Sequence, residues 1–158
     1  MSLAEYYGFK VYHLDKEFWQ SGWQMPNKPD WENRIQNIIK QDDWVVEGNY
    51  LSSLRERTQR ATVIVLLETC TLRCLVRYFR RCLYDHRAPG VDIPLGCRDK
   101  MRFHAVRNIL RYPYVVRPIV MGIVDGHPGL ILAPNRERAH VMLVERGHLP
   151  EIAVPTDL

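Results

Sequence analysis

Two carboxylates and a row of arginines are the side chains whose types and order suggest chemistry. Asp15 and Glu68 each follow a short apolar segment. Arg73, Arg77, Arg80, Arg81 and Arg87 then lead from Glu68 into a Pro/Gly-rich stretch. Phosphoryl transfer needs such a set. The protein must neutralise spread negative charge and hold Mg²⁺, and it does little covalent chemistry itself. A guanidinium fork matches phosphate oxygens in pairs. Arginines on a helix that runs into a lid could close over a phosphate chain.

Other chemistries find less support. Cys70, Cys74, Cys82 and Cys97 contain no C-x-x-C pair and read as reduced, packed thiols. The histidines at 13, 86, 104, 127, 140 and 148 show no H-E-x-x-H or other ligand spacing. No G-x-S-x-G element is present. Trp19, Trp23, Trp31 and Trp44 read as packing, the alternative being a surface on which a base stacks.

The elements that must position these groups alternate. A helix end at residues 3–7, stopped by Gly8, precedes a strand over 10–14. Asn27 caps a helix reaching about Gln41, with Trp31, Ile35, Ile38 and Ile39 on its buried stripe. A strand over 44–46 follows, and the alternation places a helix between it and the next strand. Residues 62–67 form a continuous apolar run, of the kind buried on both faces. The periodicity then predicts a helix over 71–85 with Leu72, Leu75, Val76, Phe79 and Leu83 inward and the arginines on another face. A helix from Asp99 meets Pro113, which breaks or kinks it before it resumes to Val124. Residues 130–133 form the last strand, and Asn135 caps a helix to about Glu145.

This order implies an α/β fold with a parallel sheet. Ligands bind such sheets beyond the carboxyl ends of the strands. Those ends carry Asp15, then residues 47–50, then Glu68, then Pro134, Asn135 and Arg136.

The composition agrees with one domain. The chain has 158 residues, 46 % hydrophobic and 25 % charged, which excludes a disordered or fibrous protein. Residues 1–146 read as a single domain with a lid-like segment at 85–98, and 147–158 as a tail. No apolar run approaches the ~18 residues of a membrane helix. No signal peptide is visible, so the expected setting is the cytoplasm, with no membrane partner. Arginine outnumbers lysine 17 to 5 at a net charge of +4. That suits nucleic acid or a small phosphorylated ligand as partner.

His13-Leu14-Asp15, Phe18-Trp19, Gly22-Trp23, the run from Trp44 to Tyr50, the strand ending at Glu68, the Arg-rich helix and Gly96-Cys97 together resemble one family. It is the FlaR-type DNA topology modulation family, similar to adenylate kinase within the P-loop NTPases. The likeness spans residues 3–145. It implies a P-loop kinase-like parallel sheet with flanking helices. Asp15 would stand at the acceptor side, with Asn49, Tyr50 and Arg57 holding substrate. Glu68 would hold Mg²⁺ at the Walker B-like position, where the family usually has Asp. Arg77, Arg81 and Arg87 would contact phosphate from the lid, and Asn135 and Arg136 would lie near the nucleotide base of ATP.

The family's G-x-x-x-x-G-K-[ST] phosphate loop has no counterpart, because no Gly-Lys pair occurs in the chain. Gly90-Val91-Asp92 stands where Arg-Pro-Asp is common. The first, central strand is also missing, which leaves two sheet edges facing a gap. Either the strand over 63–67 pairs directly with that over 130–133, or a second chain, for instance in a homodimer, covers the edges, or about ~25 upstream residues supply the strand and loop. The leading expectation is an N-terminally incomplete kinase-like protein whose full-length relatives phosphorylate a nucleotide, nucleoside or other small acceptor. The alternatives are a DNA-binding topology modulator using the arginine-rich surface, and an inactive remnant or interaction subunit.

Overall fold

The computed structural model describes residues 8–84 and 103–149. The expected helix end at 3–7, the lid at 85–98 with Arg87, the Asp99 cap and residues 150–158 of the tail lie outside the described residues.

The chain is α/β. Among the described residues four short strands alternate with helices: β1 (Val11–His13), α1 (Leu14–Phe18), α2 (Lys28–Ile39), β2 (Val45–Glu47), α3 (Leu51–Arg60), β3 (Ile64–Leu67), α4 (Thr71–Tyr84), α5 (Phe103–Arg111), α6 (Arg117–Val124), β4 (Leu130–Ala133) and α7 (Arg136–Glu145). The strands do not form one sheet. β1 pairs in parallel with β2, Val11 opposite Val45 and His13 opposite Glu47. β3 pairs in parallel with β4, Ile64 opposite Leu130 and Leu67 opposite Ala133. The direct pairing of 63–67 with 130–133 therefore exists, and it leaves two separate two-stranded sheets.

Local signals set the helix ends. Asn27 accepts a bond from Asp30 N–H at 2.8 Å, and Asn135 accepts one from Arg138 N–H at 2.8 Å, so both asparagines cap as their sequence context implies. Trp31, Ile35, Ile38 and Ile39 are all buried. With Leu14, and with Phe18, Trp44, Val46 and Tyr50 against them, Trp31, Ile35 and Ile39 make the core under the first sheet. Ile131, Ala133 and Ala139, flanked by Val63, Met142 and Leu143, make the core under the second. Pro113 does not break the helix. It lies in a π turn, Tyr112–Val116, where Arg117 N–H reaches back to Tyr112 O. The wider turn absorbs the amide that proline lacks.

Two expectations about burial fail. β3 is not covered on both faces, since Val65 is 40 % and Leu67 48 % exposed. The apolar stripe of α4 is turned outward, with Leu72 70 % and Leu83 65 % exposed and Tyr78 buried instead. The inward residues sit one position earlier in the repeat, and one position rotates a helix face by about 100°. Thr71 and Cys74 look onto the interior cavity while the helix packs against α5. Among the described residues no helix is long and apolar enough to cross a membrane.

The second sheet is locked by a close approach. A Cβ on Gly129 would lie 2.1 Å from the carbonyl oxygen of Thr62. The backbones meet there because Ile64 N–H donates to Gly129 O at 3.0 Å. Gly129→Ala must push β3 off β4. It is expected to cost more than Asn135→Ala, whose lost cap is worth about 1 kcal/mol. Urea unfolding of both variants beside the parent checks the order.

Candidate functional site

The carboxyl ends of β1 and β2 carry two polar pairs side by side. His13 and Glu47 face each other across the parallel register, His13 Nδ1 bonded to Glu47 Oε1. One turn on, Tyr50 donates its hydroxyl to Asp15 Oδ1 at 2.8 Å. Asp15 stands in the first turn of α1, where a carboxylate complements the helix dipole. Asn49 is exposed between the two pairs.

The turn that presents these groups is built by packing and by one buried cation. Gly48 has φ +129°, and a Cβ there would touch Leu14 Cβ at 3.0 Å. The Tyr50 ring lies 4.8 Å from Phe18 and 5.2 Å from Trp31. Trp31 is buried and Trp19, Trp23 and Trp44 are half-buried, so these rings pack. Arg57, on α3, is only 7 % exposed. It donates to Gly48 O at 3.3 Å, Tyr50 O at 3.0 Å and Ser53 Oγ at 3.2 Å. Its fork is thus spent on the turn itself, and it positions Asn49 and Tyr50 from beneath. Burial lowers its pKa to about 10.

The end of the second sheet is organised differently. Glu68 extends the pairing of β3 through its N–H to Ala133 O at 2.8 Å. Its carboxylate takes Arg117 Nε–H on Oε1 at 2.7 Å, with a second bond from the same guanidinium. Tyr112 is held above the usual tyrosine pKa by burial, which outweighs the opposing charge of Arg117. Asn135 spends its side chain on capping α7, while Arg136 lines the cavity between the sheets. Arg77 and Arg81 stand exposed on α4, and the Arg81 guanidinium lies 5.9 Å from the Tyr78 ring.

That cavity has a volume of about 1050 Å³. Its walls include every residue of 42–49 and every residue of 62–67. His13 at the end of β1, Asn49 and Thr69 two residues past β2 and β3, and Arg136 at the start of α7 line it, whereas Asp15, Tyr50 and Glu68 stand outside its lining. The structure therefore brings Asp15, Asn49, Tyr50 and Arg57 together at one rim, and places Glu68 on the rim of the other sheet. Sequence reading did not find His13, Glu47 or Arg117 as partners. The first two follow once β1 and β2 are set in parallel. Arg117 is joined to Glu68 across 49 residues, with no local spacing to reveal it.

Tyr50 is raised above the ordinary tyrosine value of 10.0, first by burial and then by its bond to and the charge of Asp15. The folded state keeps this proton where the unfolded chain loses it. Stability is therefore full below pH 10 and falls as pH rises beyond it. Tyr50→Phe is expected to flatten that fall in part, Tyr112 supplying the remainder. Unfolding midpoints at about pH 9 and about pH 11 read it. Arg57→Met keeps the stem but strands two carbonyls, and is expected to cost about 2–3 kcal/mol in the same assay.

A scan against protein-family models and searches of curated proteins and of solved structures give no match for this chain.

Proposed function

We propose that the rim at the ends of β1 and β2 binds a small phosphate-bearing acceptor, a nucleotide or nucleoside, in a fold of the P-loop kinase type. One observation carries the reading: His13, Asn49, Thr69 and Arg136, at or shortly after the carboxyl ends of the four described strands, line one cavity, and the Asp15–Tyr50 pair stands beside the first two. Open α/β sheets take their ligands beyond the carboxyl ends of their strands. Asp15 accepts the Tyr50 hydroxyl hydrogen bond on Oδ1 and keeps its other oxygen for a ligand hydroxyl. Tyr50 stays protonated and fixes that carboxylate in place. Asn49 offers both a donor and an acceptor to a base or sugar edge. Arg77 and Arg81 supply positive charge for phosphate from α4.

The residues present do not fit ATP and Mg²⁺ as the resemblance implies them. A triphosphate needs a cradle of backbone amides, and the 158 residues hold no G-x-x-x-x-G-K-[ST] loop. Mg²⁺ is commonly held by one or two carboxylates with phosphate oxygens. The candidate carboxylate, Glu68, is engaged by Arg117. Among the described residues no three of His, Cys, Asp and Glu gather as a metal-binding group. The reading for this chain is therefore acceptor binding, and no transfer step is assigned to it.

A second reading rests on the exposure of Arg73, Arg77, Arg80 and Arg81 along α4, which suits a nucleic-acid backbone.

Thermal unfolding with a panel of nucleosides and nucleoside monophosphates tests the first reading. A ligand at ~100 Kd adds roughly 2.7 kcal/mol. Asp15→Asn is expected to abolish most of the shift. Arg77→Ala and Arg81→Ala are each expected to weaken phosphate-bearing ligands about tenfold, leaving nucleosides unaffected. No shift with any member removes the reading. Duplex DNA binding that falls steeply with salt and is lost in the arginine variants transfers it to the second.

A further inference from the structure

α4 turns two kinds of side chain away from the interior. Its inward side is marked by Thr71 and Cys74, which line the cavity, and by the buried Tyr78. Leu72, Val76, Phe79 and Leu83 recur at i, i+4, i+7 and i+11, so they form one line along the helix. All four are exposed, and none lines the cavity. Arg73, Arg77, Arg80 and Arg81 form a second exposed line, about 100° further round the axis. α5, packed against α4, repeats the combination. Its Asn108 and Ile109 line the cavity, while Phe103, 89 % exposed, stands out from it with Arg107, Leu110 and Arg111. No acid balances these arginines locally. Residues 69–84 and 103–124 contain no Asp or Glu, in a chain that carries 18.

We propose that the outward face of α4 and α5 docks the protein on an anionic lipid surface. A helix lying in such a surface sinks its apolar line to the boundary of headgroups and acyl chains. Its arginines keep their charged ends among the phosphates while their stems lie along the apolar layer. The 14 residues of α4 span about 21 Å and carry both lines from end to end. Charge complementarity selects this occupant. Arginines with no acid among them call for an anionic partner. A second copy would bring the same arginines against them. A nucleic-acid backbone would satisfy the arginines but offer nothing apolar to Leu72, Leu83 and Phe103. A partner peptide helix seats in an apolar groove, whereas these side chains stand on the outward faces of two helices. The expectation of no membrane partner rested on the lack of a spanning run, which governs crossing and not surface attachment. The proposal is independent of the acceptor reading and competes with the nucleic-acid reading for the same arginines.

The whole chain is sedimented with vesicles of phosphatidylcholine, alone or mixed with phosphatidylserine. The mixed vesicles are expected to bind at least about tenfold tighter, and added salt to weaken that binding. Leu72→Ser with Leu83→Ser is expected to weaken it about a hundredfold, near tenfold for each leucine. Arg73→Gln with Arg80→Gln is expected to weaken it about 25-fold, near fivefold for each charge. All four positions are exposed, so unfolding midpoints are expected to stay at the parent's. The leucine pair is also expected to leave the nucleoside shifts of the acceptor test unchanged. Leu83→Trp reads the contact directly: brominated acyl chains are expected to quench its emission beyond that of the parent. No binding to mixed vesicles at millimolar lipid, binding that the leucine pair leaves intact, or no added quenching at Leu83→Trp overturns the proposal. Three other results give the face to another occupant and overturn it equally. Duplex DNA bound alike by the parent and the leucine pair, with no vesicle binding, assigns the arginines to nucleic acid. A concentration-dependent dimer abolished by the leucine pair, again with no vesicle binding, assigns the face to a second copy. Leu83→Trp emission already that of a buried indole without vesicles shows the face covered within the chain.

Discussion

A peptide group turned toward apolar surroundings must find a partner, and this requirement governs how the chain is divided. Each strand satisfies one of its two edges: β1 and β2 serve each other, as do β3 and β4. Two-stranded sheets are marginal on their own and need helices against them. The first is backed by the isoleucine stripe of α2 and the Phe18–Trp31–Tyr50 rings. The second is backed by α7. The inner edges face a common space because the halves are tied together from outside it. α3 packs on α6. Arg60 donates to Ile39 O at 3.1 Å, and His127 Nε2–H donates to Ala61 O at 3.0 Å while its Nδ1 accepts from Gly129 N–H. These ties hold the two edges in place without pairing them.

The polar rim depends on the same division. His13 meets Glu47 only because β1 and β2 are in parallel register, and Asp15 meets Tyr50 only because the chain turns at Gly48 under Leu14. Arg57 is the cation that makes the turn affordable in a buried place. Its partners are two carbonyls that otherwise would be left without donors. An arginine expected to hold substrate thus acts one layer below, through Asn49 and Tyr50. Glu68 shows the converse. A carboxylate expected to hold a metal is satisfied by Arg117, and the pair fixes the π-turn helix to the end of β3.

What was legible in the sequence was local. Asn27 and Asn135 cap because asparagine before a helical repeat has little else to do, and the stripe from Trp31 to Ile39 is buried because its spacing admits one face. What was not legible depends on partners far along the chain. α3 has only Leu51 and Leu54 as apolar residues, so only the alternation of elements implies it, and it is held by Arg57 and Thr58 instead. The repeat of α4 marks an apolar face correctly, but which face turns inward is decided by what the helix packs on. The run at 62–67 reads as a strand buried on both sides because its composition records an environment that the described residues complete on one edge alone.

β2 leads directly into the rim: Val46 lines the cavity, and the next residues, Glu47 and Gly48, begin the polar end. That end is fixed on one side by the three-residue ladder with β1 and from beneath by Arg57, which bonds Gly48 O and Tyr50 O. The Asp15–Tyr50 pair and the exposed Asn49 are therefore held in one arrangement by bonds within the fold itself. A preorganised set of polar groups spends less of its interaction energy on ordering itself.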